Sequence, residues 1–420
     1  MAQFDVKPKR IVVKYGGASL ADSERIQMAV KAVAKEAAKG TRIAVVVSAM
    51  GKSTDQLLNT VKNASGGKIG KKELDEVLAM GERTSVRIFA VALKASGVES
   101  RYFDPSDQDW PIITDDAFSN ANPILEQCHK RIRQHVLPLF EKGIVPVIAG
   151  FVGRTVDGKI TTLGRGGSDT TAFILAKALN VDEVILVTDA NGIMTADPKI
   201  IKNSQRISEI DVDTLVGLAD SGTKFIHRKA LKFKDPAINV RVIAYTHGDL
   251  NYDGTLITGG FSTELDVNIA SASPVTSITV VGQGISKPDI VKELIEEVKT
   301  RSTLLGLSLN HHSLVLFLSE EREPDLLLNR IHEIVLRHKE AIAMSVRRNL
   351  AFLRISGVGL EETPGLIGRI SEPLRLNDVN IFGILTSTSN ILLFVNWEEK
   401  EKALNLIRSS LGLKEGDSKC

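Results

Sequence analysis

The sequence predicts an α/β chain, with a mainly parallel sheet sandwiched by helices followed by two ferredoxin-like (βαββαβ) modules. Three observations carry this. Short runs of branched residues recur through the N-terminal part with helical periodicities between them, and most of those runs end in polar or glycine-containing loops. Past Thr258-Gly259-Gly260 the order of elements changes to strand, helix, strand, strand, helix, strand, and then starts again. A chain of 420 residues also exceeds one typical core, so two or three domains are expected.

The first five strands are read at Ile11 to Val13, Ile43 to Val47, Val145 to Ile148, Val184 to Val187 and Val240 to Ile243. Continuous apolar runs suit strands buried on both faces. Apolar spacing marks helices, as in Ile26, Val30, Val33 and Ala37, or Ala172, Leu175, Ala176 and Leu179. In the C-terminal part the reading is strand Ile278 to Val281, a helix bearing Ile290, Leu294 and Val298, strands Leu304 to Leu309 and Leu314 to Leu318, and a helix bearing Leu327, Ile331 and Ile334. A strand near Ala343 to Val346 ends that module. The second repeats with strand Ala351 to Ile355, a helix with Leu366, Ile370 and Leu374, strands Val379 to Ile384 and Ile391 to Val395, and helix Ala403 to Leu411. The boundaries are residues 1–265 for the α/β domain, 275–347 for the first module and 348–413 for the second, with Lys414 to Cys420 a polar tail.

Composition narrows the partners. Lys and Arg total 53 against 51 Asp and Glu, and a net charge of +2 leaves no basic surplus for a nucleic-acid backbone. No stretch approaches membrane-spanning length, and the N-terminus lacks the apolar core of a signal peptide. The two cysteines, Cys128 and Cys420, lie far apart and fit reduced thiols. A cytoplasmic location is expected, with neither nucleic acid nor membrane as partner.

Six segments carry the chemistry. Gly164-Arg165-Gly166-Gly167-Ser168-Asp169, between a strand-like run and a helix, reads as an anion site: glycines admit a ligand to the backbone and Arg165 offers a fork to a carboxylate. Asp169 is placed to cap the helix or hold a cation. A glycine-rich turn with a surface arginine would look alike. Lys14-Tyr15-Gly16-Gly17-Ala18-Ser19 sets a lysine and two glycines at a strand end, as suits a nucleotide's outer phosphates, although a turn with a snorkelling lysine shares the pattern. It is not a Walker A sequence. Ser48 to Asp55 supplies hydroxyls for a small polar ligand, or merely caps. Glu82 in Met80-Gly81-Glu82 is read as an ammonium partner or a solvated helix charge. The long loop Thr188 to Lys199 suits an adenine and ribose pocket, with Asp189 near the metal and phosphates, or is a proline-ended surface loop. In Gly222-Thr223-Lys224, the lysine is placed to meet a phosphate.

Taken in chain order, from Lys14 to Lys224, the six segments resemble the aspartate kinase family of the amino-acid kinase superfamily, and the tandem modules resemble its regulatory ACT domains. The resemblance spans nearly the whole chain, and the Gly-Arg-Gly-Gly-Ser-Asp element is its most specific part. It implies ATP and Mg²⁺ as cofactors and L-aspartate as substrate, phosphorylated on its side chain at the entry to lysine, threonine and methionine synthesis. Lys14, Arg165 and Asp169 would be catalytic. Ser48, Thr54, Glu82, Arg165, Ser168 and Asp169 would bind aspartate, with Glu82 near the α-ammonium and Arg165 on the α-carboxylate. Lys14, Gly16, Gly17, Ser19, Thr188, Asp189, Ile193, Met194, Asp197, Lys199 and Lys224 would bind ATP. No side-chain metal site is implied, since Mg²⁺ would be held largely by the nucleotide and water.

Some positions depart from the family. Ala18 stands where Thr or Ser is common, Lys199 where Arg is frequent, and His227-Arg228 where His-Pro is usual. The resemblance implies lysine or threonine as effector at the ACT-like modules. The first of these, Val281 to Pro288, has no clear match to the family's effector loop, which argues against such control, while Gly357 to Gly365 in the second keeps more of it. A homodimer or larger homo-oligomer is expected from the exposed sheet edges. Two other readings stay open: another phosphotransferase of the superfamily, and a non-catalytic amino-acid sensor.

Overall fold

The computed structural model describes residues 7–198, 200–219, 226–260, 265–319, 323–357, 360, 364–387 and 389–413. The chain forms two units, Met1–Phe261 and Ser262–Cys420. Among the described residues no helix is long and apolar enough to cross a membrane.

In the first unit β1 (Arg10–Tyr15) leads to α1 (Ser23–Ala37), and β2 (Arg42–Val47) to α2 (Ser53–Ala64) and α3 (Lys71–Ala95). There follow β3 (Ser100–Phe103), β4 (Ile113–Thr114), α4 (Leu125–Arg131), α5 (Leu137–Glu141), β5 (Val145–Ala149), β6 (Val152–Thr155) and β7 (Ile160–Thr162). Next come α6 (Gly167–Leu179), β8 (Glu183–Thr188), β9 (Glu209–Asp211), α7 (Val212–Ala219), α8 (Arg228–Leu231), β10 (Asn239–Ala244) and β11 (Thr255–Thr258). The main sheet runs β3-β5-β2-β1-β8-β10-β11-β9. Its centre, β5-β2-β1-β8-β10, is parallel throughout and consists of the five strands expected from the branched runs. Ile11 to Val13 and Ile43 to Val47 are at most 2% exposed, because helices cover both faces. The strands not foreseen are short or polar, such as Glu209-Ile210-Asp211. A second sheet, β4-β6-β7, ends just before the Gly164 turn.

The second unit holds β12 (Asp266–Ile269), β13 (Val275–Val281), α9 (Pro288–Arg301), β14 (Thr303–Leu309), β15 (Ser313–Ser319), α10 (Pro324–Arg337) and β16 (Ala343–Ser356). It ends with α11 (Leu366–Leu376), β17 (Gly383–Ser387), β18 (Asn390–Asn396) and α12 (Lys400–Leu411). The two strands read at 343–346 and 351–355 are one strand, β16, which pairs with β13 through its first half and with β18 through its second. Asn349, at φ +68°, marks the change. The first module has strand order β14-β15-β13-β16. The second reaches the same order, β17-β18-β16-β12, only because β12 lies antiparallel on residues 353–356. Its fourth strand therefore comes from ahead of the first module. Asp266-Val267-Asn268-Ile269 is too short for its alternation to be distinguished from a linker, and the sequence reading passed over it. The strand expected at Val379 to Ile384 starts later, at Gly383, since the Val379 N–H still closes α11 on the Leu374 carbonyl at 3.0 Å.

Candidate active site

Lys14, near the end of the central strand β1, places its ammonium 2.6 Å from Asp169 Oδ1. Both side chains are nearly buried, at 16% and 11% exposure, so the pair is sheltered from solvent screening. Asp169 does not cap α6. Gly166 (φ +74°) is the N-cap, and the helix starts at Gly167, earlier than its apolar run indicated, so Ser168 and Asp169 sit in its first turn. That turn lends the positive end of the helix dipole to the Asp169 carboxylate. Asp169 Oδ1 accepts no hydrogen bond of good geometry, leaving the ion pair as its compensation.

Of the two glycines after Lys14, the second is there for space. The Gly16 N–H donates to the Val187 carbonyl at 3.1 Å, tying β1 to β8. A Cβ on Gly17 would lie 2.8 Å from the Ala49 carbonyl oxygen and 3.0 Å from that of Gly51, so only glycine lets the β1 and β2 loops meet this closely. Ser19, expected beside the nucleotide, is fully buried and donates its hydroxyl to the Val187 carbonyl at 3.1 Å; in this structure it braces the loop.

Glu82 is not a solvated helix charge. It is 3% exposed on α3, and its Oε1 accepts the Ala49 N–H at 3.1 Å, while Oε2 is buried with no partner. Burial raises its carboxyl to about 7, against the smaller pull of the Ala49 N–H. A cation donating to Oε2 would reverse that shift. Ser48, just after β2, donates its Oγ to Ser168 Oγ at 3.0 Å, bringing two of the expected substrate residues together. Gly150 allows this approach, since a Cβ there would lie 2.7 Å from Ser168 Cβ. Thr54, in the first turn of α2, is half-buried.

Arg165 projects from a turn whose flanking glycines both take positive φ, +73° at Gly164 and +74° at Gly166. It is exposed, with no ion pair to any described residue. Asp189 is exposed at the end of β8 and accepts the Thr188 hydroxyl at 3.1 Å. Ile193, expected at the nucleotide, is fully buried and donates its N–H to Thr255 Oγ1 at 2.8 Å, so it anchors the loop from beneath. Met194 is half-buried and bridges to Arg206, and Asp197 is exposed. Lys199 and Lys224 lie outside the described residues. Among the described residues no group of three or more His, Cys, Asp or Glu side chains gathers as a metal cage.

Two polar residues behind the Gly164 turn escaped the sequence reading. Asp75, wholly buried on α3, accepts from Thr162 N–H (2.9 Å) and Oγ1 (2.8 Å) and from Ser119 N–H (2.8 Å). Lys229, on α8, donates to Asn120 Oδ1 and to the Leu163 carbonyl, both at 2.7 Å. A signal existed for the first: Asp75 precedes Glu82 by about two helical turns and so shares its face.

A parallel sheet whose carboxyl ends carry a sheltered lysine, a glycine-rich arginine turn and an unsatisfied carboxylate oxygen has the chemistry of a class of proteins suited to ligands that bear both anionic and amino groups. The model of the amino acid kinase family matches residues 9–244, and that of the ACT domain matches residues 345–409. An aspartokinase of Geobacillus stearothermophilus is 32% identical over 423 aligned residues, covering 96% of this chain and 98% of that protein. The chain belongs to the amino acid kinase family and, within it, to the aspartokinases with C-terminal ACT domains. Among solved structures, the aspartate kinase from Synechocystis superposes with a TM-score of 0.77 at 23% identity, covering 98% of this chain and 70% of that one. E. coli aspartokinase III in complex with aspartate and ADP gives 0.54 at 23% identity, covering 96% of this chain and 100% of that one.

Proposed function

We propose that this protein transfers the γ-phosphate of ATP to the side-chain carboxylate of L-aspartate, giving 4-phospho-L-aspartate, the first step towards lysine, threonine and methionine. The observation that carries this reading is the buried Glu82 with one unsatisfied oxygen, which fits a free α-ammonium, in a site that also holds an exposed arginine, without an ion pair to any described residue, suited to an α-carboxylate. Nucleoside monophosphates offer neither group, and N-acylated amino acids lack the ammonium.

The nucleophile is the substrate's own carboxylate, ionised at neutral pH because a free Asp titrates near ~3.9, so no catalytic base is required. The aspartate carboxylate oxygen attacks the γ-phosphorus, the bond from that phosphorus to the β–γ bridging oxygen breaks, and ADP leaves with the electron pair. Lys14 neutralises the charge that grows on the bridging oxygen, exchanging some of its contact with Asp169 for the phosphates. Gly16 and Gly17 line the phosphates, with Asp189, Asp197, Lys199 and Lys224 on the nucleotide side. Ser48, Thr54 and Ser168 orient the aspartate. Mg²⁺ bound to the nucleotide would supply charge neutralisation, with Asp189 the exposed carboxylate at that strand end. Purified protein with Mg-ATP and aspartate should form an acyl phosphate that hydroxylamine traps. Lys14→Ala and Arg165→Ala should sharply reduce it at subsaturating aspartate, and turnover of another acceptor in place of aspartate would overturn the assignment.

The ACT modules are the place for an amino-acid effector, lysine or threonine, and titration of activity with each, alone and together, tests this. The outer strands β14 and β17 expose Leu304, Leu309 and Ile384, as suits pairing between copies in a homo-oligomer; sedimentation as a monomer at working concentration would count against it.

A further inference from the structure

We infer that Asp75 and Lys229 form a two-sided clamp on the two segments that carry the Arg165 turn, and that this clamp sets affinity for the α-carboxylate of the substrate without touching it. The inference rests on the proposed role of Arg165 as the carboxylate's partner.

Both residues grip the same two segments, 119–121 and 162–163, with opposite charge and complementary groups. Asp75 takes donors: the Thr162 N–H and hydroxyl, and the Ser119 N–H at 2.8 Å and hydroxyl at 3.3 Å. Lys229 supplies donors, its Nζ lying 2.7 Å from Asn120 Oδ1, 3.4 Å from the Asn120 carbonyl, 3.1 Å from that of Ala121 and 2.7 Å from that of Leu163. Between the two grips the Ala121 N–H donates to the Thr162 carbonyl at 2.9 Å. Burial lowers the pKa of Lys229, so holding a charged ammonium against neutral oxygens costs stability. A surface lysine would avoid that cost.

The clamped residues are those on which the turn rests. A Cβ on Gly164 would lie 2.6 Å from Asn120 Oδ1, and one on Gly166 would lie 2.6 Å from His227 Cβ, two residues before Lys229. The turn is therefore pressed between the segment that Lys229 holds and the start of the helix that bears it. On the other side, Asp75 fixes the segment to α3, the helix that carries Glu82. The span between the ammonium partner and the carboxylate partner is set by these contacts, and sub-ångström errors in such a span weaken a bidentate grip.

The test is steady-state kinetics of Lys229→Met, Lys229→Arg and Asp75→Asn in the full chain, with Arg165→Ala in parallel. Lys229→Met should raise the KM for aspartate tenfold or more and leave the KM for ATP within about threefold; Arg should restore most of the loss, because it can still donate to several carbonyls. Preference for aspartate over its α-amide should shrink in Lys229→Met. Asn120→Ala, an exposed position with little risk to folding, should raise the KM for aspartate severalfold in the same direction. Equal losses for both substrates, or an unchanged aspartate KM with only a lowered melting temperature, would overturn the clamp. If Arg165→Ala leaves the aspartate KM unchanged, the role given to Arg165 fails instead. If Arg165→Ala raises it and neither Lys229→Met nor Asn120→Ala does, the clamp alone fails.

Discussion

Lys14 Nζ and Asp169 Oδ1 stand 2.6 Å apart between the end of β1 and the first turn of α6, the carboxylate holding the ammonium in place. Removing the lysine leaves a nearly buried carboxylate without its partner and, in the proposed mechanism, the transferring phosphoryl group without its neutralising charge. Lys14→Ala should lower kcat by about 10²–10³-fold, the scale of losing one preorganised charge-stabilising group. Asp169→Asn should lower kcat less, since the ammonium survives but its aim does not. In the double variant the two losses should fall short of additive, because the residues act as one unit. Simple additivity in a kinetic double-mutant cycle would show that they act separately.

Arg165 is exposed and makes no ion pair with any described residue, so changing it costs little stability. Arg165→Lys keeps the charge and loses the fork. The KM for aspartate should rise about tenfold or more, with that for ATP little changed, because a point charge does not reproduce two parallel hydrogen bonds. Equal loss for both substrates would move Arg165 to the phosphates.

How far the sequence was legible follows from the range of the forces involved. The central strands were legible because burial on both faces demands unbroken runs such as Ile43 to Val47. The glycine turns were legible because positive φ at Gly164 and Gly166 leaves few other choices. Long-range relations were not. Whether Glu82 is solvated or buried depends on how α3 packs on the β2 loop, and an acidic helix residue reads the same in both cases. Ser19 and Ile193 lie in sequence among residues expected to face a ligand, yet both are fully buried, a distinction that loops without periodicity do not announce. The membership of β12 in the second module rests on pairing with a strand more than eighty residues onward, which no local pattern encodes.

In its proposed role as partner of the α-ammonium, Glu82 should make aspartate binding depend on pH. Its carboxyl is held up near about 7 by burial, so at lower pH it is neutral and the attraction to an α-ammonium is lost. kcat/KM for aspartate should therefore rise with pH through about 7 and level off above it, and Glu82→Gln should remove that inflection at the cost of a higher KM. The stability sign runs the other way. A raised carboxyl pKa favours the native state at low pH, and that contribution fades as pH rises through about 7. Glu82→Gln should accordingly gain on the order of a few kcal/mol relative to the parent at pH 8, less whatever the lost Ala49 contact contributes, and show less difference at pH 5. Denaturant titrations at the two pH values test the sign.

The debt of the second ACT module to β12 has a direct consequence for stability. Val267, 1% exposed, packs into the core formed by Leu353, Ile355, Ile370 and Ile407, and its neighbours on β12 pair with residues 353–356 of β16. The Val267 carbonyl also accepts from Arg408 Nε at 3.0 Å, fastening α12 to the strand. An aspartate at this position would bury an unpaired carboxylate in that core. Val267→Asp should destabilise the second unit by roughly 3 kcal/mol or more. The first unit has its own hydrophobic core, so calorimetry should show one transition shifted down while another stays near the parent temperature. Val267→Ala, which removes two methyl groups and adds no charge, should shift the same transition by less than half as much. If both variants melt as the parent does, β12 is not the strand that completes the module.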